Sequence, residues 1–205
     1  KVPQAVSVTR EKTTADTNTV ASLVLPPIVD SWIGWKPRSR DTRREKAVFF
    51  AEFNHLFIPG AGVIEGRHQV SVRPAQGELA ELVFSVPAGL TVSDVEAPAM
   101  SVWRFDPAER RLRIVLTPPQ SRPTTLLIKS QIATGPLPFE QTAGLIALNQ
   151  AAGQLGLVGV ATGSEVQLDD VRAPALSAIN IEDFPTSVLE PLKTQAPGLT
   201  LRRAY

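Results

Sequence analysis

Short apolar segments with a period of two, each closed by proline or glycine, run through the middle of this 205-residue chain. In the clearest of them, Leu112, Ile114 and Leu116 alternate with Arg111 and Arg113. This period is typical of a strand that buries one face and exposes the other. Further segments of this kind lie at residues 47–57, 64–73, 82–86, 90–95, 102–105 and 124–132.

Short strands separated by turns predict an all-β fold, an antiparallel β-sandwich of the Ig-like or a larger two-sheet kind with little helix. The 18 prolines weigh against long helices, because proline lacks the amide donor that a helix interior needs. Alternating helices are missing, which disfavours a parallel α/β sheet. Residues 144–154 could form a short helix, but their glycines favour strands. In the last third we expect strands at residues 145–149, 157–162, 165–168, 177–181 and 199–203, and at least one helical turn at 187–194.

The chain is expected to divide near residue 45, where the composition changes. Residues 1–45 contain two strand-like pieces, Ala5–Thr9 and Asn18–Leu25, followed by a basic linker. This segment could be the tail of a preceding β domain, or a strand that docks onto the next one. Residues 46–205 are predicted to form the β-sandwich domain itself.

Cysteine is absent, which excludes disulfides, thiolate nucleophiles and zinc–thiolate sites. The chain starts at Lys1 and its one methionine is Met100, so we expect a processed or excised piece of a longer protein. Together these features predict a periplasmic or extracellular location in a bacterial envelope, where free thiols are oxidised. The formal net charge of +1 gives no general attraction for nucleic acid. No apolar run reaches the roughly 18 residues of a membrane helix.

Both histidines follow a glutamate by three residues, as Glu52-x-x-His55 and Glu65-x-x-His68. On a helix such pairs share a face and can hold a metal. Both pairs fall in predicted strands, however, where positions three apart point to opposite faces. One residue from each strand of a hairpin could still meet. The alternative, which we favour, is a partly exposed histidine beside a solvated glutamate, so no metal site is predicted.

Other patterns of catalysis are missing from the sequence. There is no Gly-x-Ser-x-Gly nucleophile elbow, and the glycines of residues 153–159 lack the Lys-Ser/Thr of a phosphate loop. The adjacent acids Asp169-Asp170 and Glu182-Asp183 could bind calcium or act as paired carboxylates, but solvated loop charge is their commoner role. We therefore predict no catalytic residue, no cofactor and no enzyme activity.

The strongest candidate for ligand binding is the region of Trp32 and Trp35, beside Arg38 and Arg40. Exposed tryptophan can stack on sugar rings or bases, and arginine can hold anionic groups. This combination could bind an acidic glycan, a lipid headgroup or single-stranded nucleic acid, and we retain the glycan as the expected ligand. The alternative, to which we give more weight, is that both tryptophans pack beneath the linker against the sandwich while its basic residues pair with Asp41 and Glu45 or are solvated.

Four strings resemble repeated β modules of large uncharacterised bacterial envelope and secreted proteins: residues 84–92 (FSVPAGLTV), 103–105 (WRF), 111–116 (RLRIVL) and 125–128 (TLLI). The same order of strands and turns is loosely similar to the N-terminal β domain of zinc aminopeptidases, over residues 47–134. This resemblance implies a scaffolding role and not catalysis. The His-Glu-x-x-His zinc motif is missing, so no zinc ligand or catalytic residue carries over.

Three functions follow, in order of preference. The first is a non-catalytic structural or interaction module, whose protein–protein partners are other domains of the same polypeptide or envelope proteins. The second is a carbohydrate-binding module that uses Trp32 and Trp35. The third is a metal-dependent hydrolase with a site built from His55, His68 and nearby acids.

Overall fold

The computed structural model describes residues 5–12, 17–23, 45–194, 196 and 198–205. The chain divides into two compact units, Lys1–Arg40 and Asp41–Tyr205. In the first unit, β1 (Ala5–Lys12) and β2 (Thr17–Leu23) pair as an antiparallel two-stranded sheet. The division at residue 45 into a preceding tail and a sandwich domain stays a prediction.

The second unit is built from strands joined by turns of the kind that the sequence indicates. One such turn follows Asp106, whose carboxylate accepts the amides of Ala108 and Glu109 at 2.9 and 3.1 Å. The strands in the described part of this unit are β3 (Val48–Gly60), β4 (Val63–Gln76), β5 (Leu79–Ser85), β6 (Leu90–Glu96), β7 (Met100–Asp106), β8 (Arg111–Gln120), β9 (Thr124–Ala133), β10 (Ala147–Leu148), β11 (Gly153–Thr162) and β12 (Thr200–Ala204). The helical elements are a 3-10 turn (Ile181–Asp183) and α1 (Thr186–Lys193).

Two sheets make up this unit. The larger has the strand order β12-β11-β3-β4-β9-β6, and the smaller has the order β10-β5-β8-β7. Neighbouring strands are antiparallel except β11 and β3, which run parallel. The fold is therefore a mostly antiparallel two-sheet β-sandwich with little helix, which confirms the predicted fold class in its larger form.

The inner core fills the space between the two sheets. Alternate positions of β3 turn inward, among them Phe49, Ala51 and Phe53, and they meet the inward positions of the smaller sheet. Phe53 contacts Phe84 of β5 edge to face, with the ring centroids 6.5 Å apart. Each large apolar side chain buried here contributes about 1.5–3 kcal/mol. Ile114 on β8 is fully buried, as its alternation with arginine predicts.

A second, smaller core lies on the outer face of the larger sheet. There α1 places Val188, Leu189 and Leu192 against the sheet, and Leu56 of β3 packs with them. Leu189 and Leu192 follow Val188 by one and four residues, so all three lie on one face of the helix, which is therefore amphipathic. The predicted helical turn at residues 187–194 is α1. No helix in the part of the chain that the structure describes is long and apolar enough to cross a membrane.

Two predicted strands are wrong. Residues 165–168 and 177–180 lie in irregular chain between β11 and α1, and Ile181 begins the 3-10 turn. β11 pairs with β3 on one side and with β12 on the other, so neither segment can pair with β11 itself. Ile179 makes one backbone hydrogen bond to the edge strand β12, from its amide to the carbonyl of Ala204 at 3.0 Å.

Candidate functional site

The two histidines of the chain lie side by side in the inner core. His55 on β3 is the direct register partner of His68 on β4, because the two strands form one long hairpin. His55 shares the inward face with Phe53 and Phe57, and His68 shares it with Val70. Only 3% of His55 and none of His68 is exposed. The sequence expectation of partly exposed histidines is wrong.

A chain of hydrogen bonds connects three strands through these rings. The Nδ1 atoms of His55 and His68 are 2.9 Å apart, and His68 Nε2 lies 2.8 Å from the hydroxyl oxygen of Ser130 on β9. We call His55, His68 and Ser130 the histidine cluster. In one arrangement of protons, His55 donates to His68, which donates to Ser130. In the other, Ser130 donates to His68, which donates to His55.

A glycine makes room for the cluster. Gly66 on β4 pairs with Ser130 in the register of β4 and β9. A Cβ atom at this position would lie 2.2 Å from Ser130 Oγ and 2.7 Å from His68 Nε2, closer than real Cβ contacts come. A larger residue here therefore forces the hydrogen-bonded side chains to move.

Aromatic rings surround the imidazoles. The ring of Phe53 stacks on His55 with centroids 5.2 Å apart and an angle of 13°. The ring of Phe57 meets His68 edge to face at 5.5 Å. These apolar neighbours leave the cluster in a dry environment of low polarity.

Burial alters the acid–base behaviour of both rings. It lowers the pKa of His55 from its ordinary 6.5 to about 4, because a charged imidazole loses its hydration here. Burial also lowers the pKa of His68 well below 6.5, and a charge on His55 would lower it further. Both imidazoles are therefore neutral near pH 7.

The glutamates of the two Glu-x-x-His pairs do not join the cluster. Glu52 turns outward and accepts a bond from Arg73 at 3.3 Å, and Glu65 takes the alternate, outward position next to Gly66. This split follows the strand geometry that the sequence predicts, and the meeting of His55 with His68 is the cross-hairpin arrangement it leaves open. Within the described ranges, no group of three or more His, Asp or Glu side chains converges as a metal site would need.

The other candidate residues lie outside the cluster. Trp32, Trp35, Arg38 and Arg40 are outside the described residues, so the proposed ligand site stays a prediction. Asp170 is exposed and pairs with Arg172 at 2.7 Å. Asp169, Glu182 and Asp183 are exposed as well.

Ser130 is the member of the cluster that sequence reasoning missed. It occupies an inward position of β9 between Ile128 and Ile132, within a predicted strand. A polar residue at an inward position of an apolar strand must find a buried hydrogen-bond partner. That signal was present in the sequence, although it does not identify the partner.

A surface groove of about 500 Å³ runs beside α1. Arg67 and Glu96 both line it, so opposite charges face the same space. The carbonyl oxygen of the Gln69 side chain accepts bonds from Asn54 Nδ2 at 3.3 Å and from Ser187 Oγ at 3.4 Å. This mixed lining does not select one class of ligand.

No family model and no curated protein matches the chain. Among solved structures, the M1 zinc metallopeptidase from Deinococcus radiodurans is 13% identical with a TM-score of 0.44, over 77% of this chain and 38% of that one. A point mutant of that protein bound to a Tyr-Ser-Ala substrate is 12% identical with a TM-score of 0.46, over 77% of this chain and 39% of that one. The chain thus spans about two-fifths of their length. The loose similarity to zinc peptidases expected from the sequence is found at this low level.

Proposed function

We propose that this chain is a non-catalytic β-sandwich module of a larger bacterial envelope or secreted protein. Its role is to hold or contact other domains of the same polypeptide or other envelope proteins. The observation that carries the proposal is the enclosure of the histidine cluster: both imidazoles lie between the sheets, where no substrate reaches them. Their hydrogen bonds connect strands, which is a structural task.

An exposed apolar patch supports the interaction role. Val48 and Phe50 on β3 and Leu155 on β11 lie on the outer face of the larger sheet, and we call them the outer patch. Half of Phe50 and 68% of Leu155 are exposed. Gly153 is the register partner of Phe50, and its missing side chain leaves space for the phenylalanine ring. Contiguous exposed apolar residues of this kind commonly mark contact surfaces.

The location is proposed on the composition of the chain. A sequence without cysteine suits an oxidising compartment, because it has no thiol to be oxidised.

Cell fractionation tests this proposal. An antibody raised against the chain should detect a polypeptide much larger than 22.1 kDa in the periplasm or outer envelope of the source cells. A band near 22 kDa in the cytosol would overturn both the modular role and the location.

Carbohydrate binding is the second candidate, and it is favoured by the two tryptophans among basic residues in the sequence. Titration with acidic polysaccharides should then quench or shift tryptophan fluorescence. The response should be lost in Trp32→Ala or Trp35→Ala. The matched control is Trp103→Phe, because Trp103 on β7 packs against the inner core and is the one other tryptophan of the chain. A response that Trp103→Phe abolishes would contradict this assignment.

A further inference from the structure

We propose that the histidine cluster is an acid-sensitive device that makes the sandwich less stable as the pH falls. The cluster connects β3, β4 and β9, three neighbouring strands within the larger sheet. A disturbance at this place acts on the middle of the inner core and not on its edge.

The geometry of the two rings limits how many protons they accept. Two Nδ1 atoms 2.9 Å apart share one proton, which one ring donates and the other accepts. If both rings are protonated, both Nδ1 atoms carry hydrogen and point at each other. A hydrogen bond then becomes a contact between two donors, with like charges on both rings. The folded cluster therefore cannot take up two protons in this geometry.

A single added proton also places a charge in the core without a partner. Next to the cluster along the strands, Glu52, Glu65, Arg67 and Lys129 occupy outward positions of β3, β4 and β9. The register partner of His55 on β11 is the apolar Val158, and the ring that stacks on His55 is Phe53, which in turn contacts Phe84 of the opposite sheet.

Charges of the smaller sheet are engaged elsewhere. Arg113 on β8 is exposed and bonds Glu81 on β5, also exposed, at 2.5 Å. The guanidinium of Arg110, at the turn before β8, bonds the carbonyls of Val86, Pro87 and Leu90. No carboxylate among the described residues thus compensates a charged imidazole, and an uncompensated charge in an apolar core is costly.

The direction of the pH effect follows from where protons bind. The unfolded chain takes up protons on its histidines below about pH 6.5, whereas burial holds the pKa of His55 at about 4 in the folded chain. The free energy of unfolding therefore decreases as the pH drops below about 6.5, and it goes on decreasing until about pH 4. Between about pH 7.5 and about pH 5, His55 alone raises the unfolding equilibrium constant roughly 30-fold. His68 acts in the same direction, because burial lowers its pKa too.

Urea unfolding of the protein at several pH values tests this proposal. The comparison is the wild-type chain against the triple variant His55→Leu, His68→Leu, Ser130→Ala, which removes the titrating rings and leaves no unpaired hydroxyl. The wild type should show an increase of at least roughly 30-fold in its unfolding constant from about pH 7.5 to about pH 5. The triple variant should change by less than about threefold. Equal pH dependence in both proteins would overturn the proposal.

Nuclear magnetic resonance of the wild-type chain gives an independent measurement if the variant does not fold. The chain has two histidines, so every imidazole signal belongs to the cluster. Both rings should keep neutral chemical shifts in the folded protein from about pH 7.5 down to about pH 5, because burial holds the pKa of each ring below its ordinary value. Rings that titrate near pH 6.5 in the folded protein would also overturn the proposal.

Discussion

The two halves of β3 have different surroundings although they belong to one strand. From Val48 to Glu52, side chains alternate between the inner core and the solvent-facing side of the sheet. From Phe53 to Phe57, all five side chains are buried. The cause is α1, which covers the outer face of the larger sheet beside Leu56 and leaves the face at Phe50 open. An alternating pattern therefore describes a strand only where one of its faces meets solvent.

We call residues 53–57 the covered half of β3 and residues 48–52 the open half. Polar side chains of the covered half need hydrogen-bond partners on both faces of the sheet. Asn54 turns outward and donates a hydrogen bond to Gln69 of β4. His55 turns inward and is hydrogen-bonded to His68, which also lies on β4. The open half has no such demand, because Glu52 is free to pair with Arg73 at the surface. Covering both faces of a strand thus converts its polar positions into cross-strand hydrogen bonds.

Leucine-to-alanine changes in the two halves test this comparison most strongly. Leu56→Ala should lower the free energy of unfolding by about 3 kcal/mol, because it leaves a cavity beneath α1. Leu155→Ala is the matched control, since most of its side chain is already exposed beside the open half. It should change stability by less than about 0.5 kcal/mol. If urea unfolding gave the same loss of unfolding free energy for Leu56→Ala and Leu155→Ala, the outer face would be covered evenly along β3.

Gly66 tests how tightly the inner face is filled around the cluster. Gly66→Ala should lower the free energy of unfolding by about 2 kcal/mol, because the new methyl group overlaps Ser130 Oγ and His68 Nε2. Gly135→Ala serves as control, since a Cβ atom there meets nothing within 4 Å. Adding Ser130→Ala to Gly66→Ala should recover part of the loss. A Gly66 variant as stable as the Gly135 variant would mean that the cluster is loosely packed.

Two serines separate the value of a buried hydrogen bond from that of an exposed one. Ser130→Ala should cost about 1 kcal/mol in unfolding free energy, because it removes the partner of His68 inside the core. Ser71→Ala removes an exposed bond to Thr125 and should cost less than about 0.5 kcal/mol. Ser130→Ala should keep the pH dependence of the wild type, since both imidazoles remain. Loss of that dependence would show that the pH response of the imidazoles requires the hydrogen bond between His68 and Ser130.

The sandwich was predictable from sequence because most of its strands have one solvated face. Leu112, Ile114 and Leu116 point inward and their arginine neighbours point outward, as the period of two requires. The C-terminal region was less predictable: residues 165–168 and 177–181 have strand-like composition but form no ladder with a sheet, and Ile179 makes only one bond to the edge strand β12. Pairing is a long-range property, and the local pattern does not contain it.

The histidine cluster was predictable only in part. Strand periodicity separates His55 from Glu52 and allows His55 to meet His68 across a hairpin. It does not give the register, and a slip of one residue would turn one ring to the outer face. The sequence also cannot show that α1 returns to cover this half of β3. Burial of the rings, and with it their neutral state, follows from that register and from the smaller sheet that packs over the inner face of β3 and β4.

The outer patch gives the smallest expected effect on stability and the sharpest test of what the open half is for. Replacing Phe50 and Leu155 by threonine keeps strand propensity and removes exposed apolar surface. The double variant should unfold within about 0.5 kcal/mol of the wild type, because neither side chain is part of a core. In the longer protein that we propose, the same change should weaken the contact with a neighbouring domain and increase proteolytic cleavage between domains. A large loss of stability in the isolated chain would show instead that this half of β3 is covered within the chain itself.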